Sequence, residues 1–248
     1  MFKQKHNFSS LFINGCSHTA GSEIEASGVG DSEYNRKACF GAKFANRLGI
    51  DYVNNAMPGA SNDYIFRTTS LWIQDNLALA KKSLVVIHWT GAARSEYFHT
   101  GTNDPGYWDM IPFTPDQHVG HLHPGYYGNV PRKNQWNAKV LTKALFMNEM
   151  HWQINRYLNI LYLQNLLKAH DIKYIFRNAL ELCEIDKRFT YYIKHIDKEH
   201  YKYFDDQSQS FFEHCLANGH SIEGQLLHHH KEAAHDYWAN KLFTESFQ

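Results

Sequence analysis

No surplus of charge marks this chain: 25 basic side chains face 25 acidic ones. Proteins that grip duplex nucleic acid or an anionic membrane surface over long range carry a basic excess, so neither partner is expected. Apolar runs long enough to span a bilayer are missing, and the opening MFKQKHNFSSLF lacks the apolar core of a signal peptide. Cysteine is sparse. Cys16, Cys39, Cys183 and Cys215 lie far apart with no CxxC pair, which argues against a zinc ribbon and against a dense disulfide framework. A reducing, cytoplasmic setting is the expectation, and a phage-encoded, virion-associated protein made in a bacterial cytoplasm would look the same. Internal repeats are absent too.

What is present is enough apolar material, 43% of 248 residues, for one sizeable core. The 17 histidines make the charge sensitive to mild acid. Short apolar runs at 9–15, 51–56, 83–89 and 172–180 read as strands, and SLVVIHW at 83–89 is the clearest of them. Between and after them, helical spacing runs through 35–50, 63–80, about 141–169, 209–220 and 231–243. Strands alternating with helices predict an α/β three-layer sandwich, a central parallel sheet covered on both faces. Residues 90–140 break the pattern. Rich in Gly, Pro, Tyr, Trp and His, they read as an aromatic loop insertion into a single domain spanning 1–248.

Ligands of such sheets collect beyond the carboxyl ends of the strands. Ser17 in FINGCSHTAG, Gly59 in MPGASN and the Thr90–Arg94 turn all fall just past a predicted strand end. Two familiar assignments for Ser17 fail. The nucleophile elbow G-x-S-x-G needs glycine where Thr19 stands, and a P-loop needs a lysine followed by Ser or Thr, which does not follow Gly21. A serine hydroxyl needs a base to become a nucleophile. A glycine at 59 would let a backbone N–H approach developing negative charge, although PGASN is also an ordinary turn sequence.

GCSHT after the first strand, NNAMPGASN after the second and HHHKEAAHDYWANKL near the end resemble the SGNH (GDSL) hydrolase superfamily. The matches to GDSxT are Gly15, Ser17 and Thr19, with Cys16 replacing aspartate. The resemblance implies a flavodoxin-like SGNH architecture and an esterase or deacylase acting on a small-molecule or carbohydrate ester, without cofactor or metal. It implies Ser17 as nucleophile, His229 as base with His228 and His230 as rivals, and Gly59 and Asn62 as oxyanion donors. His18, Trp89, Thr90 and Arg94 are the implied substrate-contacting residues, Arg94 with a fork suited to a carboxylate or sugar acid. His235 is expected to pack or cap within the last helix.

Departures from the family pattern are plain. The aspartate three residues before the histidine is Leu226 for His229 and Gln225 for His228, leaving Glu223 or Glu232 as substitutes, or a Ser–His dyad. The third block lacks its asparagine at 89–94, and the GTND that holds Asn103 begins twelve residues beyond the strand. These losses favour the alternative of a catalytically degenerate binding or virion structural protein on the same fold. His118, His121 and His123 cluster in HVGHLHPG, but no recognised metal-ligand spacing appears, and no metal is expected.

Overall fold

The computed structural model describes residues 8–25, 32–92, 94–98, 108–111, 149–180, 186–222 and 229–247. Four strands form one parallel sheet: β1 (Ser10–Asn14), β2 (Asp51–Asn54), β3 (Ser83–Trp89) and β6 (Lys173–Asn178), in the order β2-β1-β3-β6. Its register pairs Phe12 with Val53 and Val85, and Val86 with Ile175. Every residue of β1 and β3 is buried, because helices cover both faces of these central strands and both sets of alternating side chains must be apolar or bonded.

The pleat sorts these side chains into two cores. Phe12, Val85, Ile87, Trp89, Tyr174 and Phe176 meet α4 (Asn62–Asp75) and α6 (Glu149–Ala169) on one face. Leu11, Ile13, Leu84, Val86 and Ile175 meet α3 (Phe40–Leu48), α8 (Phe211–Ala217) and α9 (Glu232–Phe247) on the other. The expected α/β sandwich with a parallel sheet is the observed one.

Three boundaries differ from the sequence expectation. The helix expected over 35–50 is two, α2 (Glu33–Ala38) and α3, broken at Cys39, whose backbone is extended and whose thiol sits 2.9 Å from the Tyr52 hydroxyl. No glycine or proline marks this break; a tertiary contact holds it. The helix expected over 63–80 breaks at Asn76, whose side chain donates back to Trp72 O, leaving α5 (Leu77–Ala80) as a separate turn. Within the 90–140 insertion, β4 (Ser95–Phe98) and β5 (Trp108–Ile111) pair antiparallel, where a loop was expected. A short helix, α7 (Thr190–Ile193), follows β6. Of the other insertion residues, 99–107 and 112–140 lie outside the described residues. No described helix is long and apolar enough to cross a membrane.

Among the described residues five histidines are buried: His18, His88, His229, His230 and His235. His88 stacks on Phe40 at 4.4 Å and accepts from the Trp238 indole, and His235 accepts from Phe40 N at 3.1 Å. Loss of hydration is the main cause that holds His18, His88 and His235 below the ordinary imidazole range, His235 at about 3. Unfolding lets these rings take up protons below the ordinary imidazole value of 6.5, whereas the folded chain keeps them neutral. Their contribution is therefore complete above that pH and declines as pH falls toward the folded values, by up to about 1.4 kcal/mol per pH unit for each ring. Urea midpoints measured at pH 7.5, 6 and 5 should decrease stepwise; equal midpoints would contradict the buried neutral rings.

Candidate active site

The end of β1 is tied down by a buried asparagine. Asn14 Nδ2 donates to Thr68 and Thr69 Oγ1 at 2.8 and 2.9 Å, and its Oδ1 accepts Gly15 N at 2.8 Å. The chain then turns through Cys16 into a single helical turn, α1 (Ser17–Ala20). A Cβ at Gly15 would stand 2.2 Å from Thr19 Oγ1 and 3.0 Å from His88 O. Gly21, at φ 85, ends α1 in the left-handed region, and a Cβ there would meet Asn35 O at 2.7 Å. Both glycines are thus close-approach positions that let α1 sit against the sheet end. Ser17 opens this turn, buried but for 7% of its surface.

The turn after β2 lies alongside. Asn55 N donates to Ile13 O and Met57 N to Gly15 O, so the second turn is bonded to the first. Ala60 N closes the turn onto Met57 O, with Pro58 first in the corner and Gly59 second at φ 80, the order a type II turn prefers. Gly59 therefore stands in a turn fastened to the one that carries Ser17.

His229 arrives from the other end of the chain. Its ring centroid lies 4.6 Å from that of His18, the residue after Ser17, and its Nδ1 is 2.7 Å from Glu23 Oε2. Glu23 is 3% exposed and has a positive φ of 62, a backbone that a non-glycine residue holds only where its surroundings enforce it. Lys231 contributes, donating to Glu23 O at 2.6 Å. A carboxylate on Nδ1 directs Nε2 outward as the proton-accepting nitrogen.

Sequence reasoning missed Glu23. It lies 206 residues from His229, and its one signal was its place in GSEIE, just after the serine turn. Of the acids considered from sequence, Glu232 is paired with Lys43 at 2.6 Å and receives the Tyr34 hydroxyl, away from His229. Glu223 lies outside the described residues, as do Asn103, His118, His121, His123 and His228. His230 is buried, with Nε2 2.9 Å from Phe212 O and Nδ1 3.4 Å from Ser221 O, so its ring faces backbone carbonyls on both sides.

Two of the expected site residues are held in the framework of the fold. Asn62, expected to donate to an oxyanion, clasps the end of β3: its Nδ2 donates to Thr90 O at 3.1 Å and lies 3.4 Å from Gly91 O, while its Oδ1 accepts Thr90 N. The side chain is committed to backbone. Trp89, expected against substrate, is fully buried and packs edge-on to Phe176 within the core, because the pleat turns it toward α6. Thr90 is fully buried beside it. His18 is buried between Phe212 and His229, and its Nδ1 lacks a hydrogen-bond partner among the described residues. Arg94 is half-buried and close enough that its charge helps depress the His18 pKa, after burial and the His229 ring.

Fold and site together define an α/β protein with a serine and a carboxylate-backed histidine at the carboxyl edge of a parallel sheet. A family model covers residues 23–246, and the chain belongs to that family, DUF6071, a family of unknown function. No curated protein matches the sequence. Among solved structures, the chain is similar to a psychrotrophic esterase, EstA from Pseudoalteromonas sp., inhibited by monoethylphosphonate, at 10% identity and TM-score 0.44, covering 96% of each chain. It is similar to TesA at 13% and 0.46, covering 95% of this chain and 96% of that one. A variant of Axe2, an acetyl xylan esterase from Geobacillus stearothermophilus, is similar at 15% and 0.46, over 98% and 97%. At such values, chemistry has to be read from this chain's own side chains.

Gly15→Ala should force apart α1 and the sheet end, lowering stability by about 1–3 kcal/mol as overpacking does. A denaturant titration that left the midpoint unchanged would contradict the close approach.

Proposed function

We propose that this chain is a serine ester hydrolase in which Ser17 is the nucleophile, His229 the general base and Glu23 the group that orients the base. The 2.7 Å pairing of His229 Nδ1 with the buried Glu23 carboxylate carries this reading. In the first step Ser17 Oγ attacks the ester carbonyl and His229 Nε2 takes its proton. The imidazolium that forms is stabilised by Glu23 and returns the proton to the departing alkoxide. Water, activated by the same ring, then releases the acid from Ser17. The backbone N–H groups of Ser17 and Gly59 hold the oxyanion, since Asn62 is committed elsewhere.

The substrate class is a small ester, an O-acyl carbohydrate being the form that the resemblance implies. A carboxylate six residues after the nucleophile replaces the aspartate missing before the histidine, and a dyad is not required.

A fluorophosphonate probe should add its mass to Ser17, and Ser17→Ala should abolish the adduct. His229→Ala and Glu23→Gln should slow labelling by at least about a hundredfold, the scale of a lost base or its orienting partner, with melting curves to show that each variant folds. A folded wild-type chain that never labels would instead favour a binding protein on the same fold.

A further inference from the structure

A small open cleft lies between the first turn of α4, the turn after β3 and the first half of α6, with Asn62, Asp63, Arg94, Trp152, Arg156 and Asn159 among its lining residues. Two guanidinium groups converge there. Arg156 is 3% exposed and lies over the Phe204 ring at 5.8 Å, yet among the described residues its Nε has no hydrogen-bond partner and its Nη2 makes long hydrogen bonds, 3.4 Å to Asn178 Oδ1 and 3.5 Å to the Tyr201 hydroxyl. Those two acceptors are already bonded to each other. Arg94 Nη1 is likewise buried and unpartnered. Neither arginine has an ion pair among the described residues.

A buried guanidinium without a counter-charge is costly, and the usual compensation is an anion with hydrogen-bond acceptors. The one acid of the lining, Asp63, receives the Asn159 amide at 2.8 Å. The amino end of α4, a 14-residue helix, adds partial positive charge at the same place. The cleft is thus net cationic.

We propose that the Arg94–Arg156 cleft binds a carboxylate carried by the substrate, so that the ester acted on at Ser17 is an acidic one, such as an acylated sugar acid. A planar carboxylate matches the guanidinium fork with two parallel hydrogen bonds. Asn62 of the lining stands three residues after Gly59, and Arg94 acts by its charge on His18, the residue after Ser17, so the cleft lies on the side of the sheet where the serine turn stands. The link to turnover rests on the hydrolase reading, whereas binding of the carboxylate does not.

The two are separated by titrating the Ser17→Ala protein calorimetrically with glucuronate, glucose and inorganic phosphate. Glucuronate should bind at least tenfold more tightly than glucose or phosphate. Arg94→Ala and Arg156→Met should each weaken it tenfold or more; if the buried Arg156 variant fails to fold, the half-buried Arg94 variant decides. Equal binding of glucuronate and glucose, tighter binding of phosphate, or glucuronate binding indifferent to Arg94→Ala would overturn the proposal. Glucuronate binding without fluorophosphonate labelling of the wild type would keep the carboxylate site and remove only the hydrolase reading.

Discussion

Glu23 carries a carboxylate into a place that is 3% exposed, and an ion so placed needs a partner within hydrogen-bond reach. His229 meets that need at 2.7 Å, and Lys231 secures the carbonyl of the same residue at 2.6 Å. Through these bonds the segment after β1 and the segment before α9 close upon each other. The positive φ of Glu23 is tolerated because its carboxylate and its carbonyl are both bonded, to His229 and to Lys231. The His18–His229 ring contact and the seat of α9 against α3 follow from that closure.

A second constraint acts at the centre of the sheet. β1 lies between β2 and β3, so the connections leaving its two sides diverge and leave a crevice at the strand ends. Side-chain amides hold its walls. Asn14 ties β1 to α4 through two threonines, and Asn62 ties α4 to the backbone after β3. Buried amides satisfied on both ends give the rim a single geometry. With α4 and α6 so positioned, Arg94 and Arg156 come to face one cleft.

Much of the fold was legible. SLVVIHW and SSLFING are continuous apolar runs because both faces of a central parallel strand are covered, and this pattern differs visibly from an amphipathic helix. The break at Cys39 was not legible, since it depends on Tyr52 across the chain fold and not on a local breaker. The β4–β5 pair was missed for a related reason: its strands are four residues each, too short to show a period, and the Asp104-Pro105-Gly106 turn signal among the nine residues between them fits a loop as well as a hairpin. At the site, Gly15, Ser17 and Gly59 were visible as turn residues after strands. Asn62 and Trp89 were visible too, but the clasp and the core position they occupy depend on which way each side chain points.

The sequence by itself determined the alternation of strand and helix, the positions just past the strand ends and the late histidine triplet, because each is written in local spacing and residue type. Tertiary structure alone decided that Glu23, 206 residues from His229, is the acid beside that ring, that His230 faces carbonyls, and that Arg94 and Arg156 share a cleft. Burial and electrostatic pairing are properties of distance in space, and no window along the chain contains them.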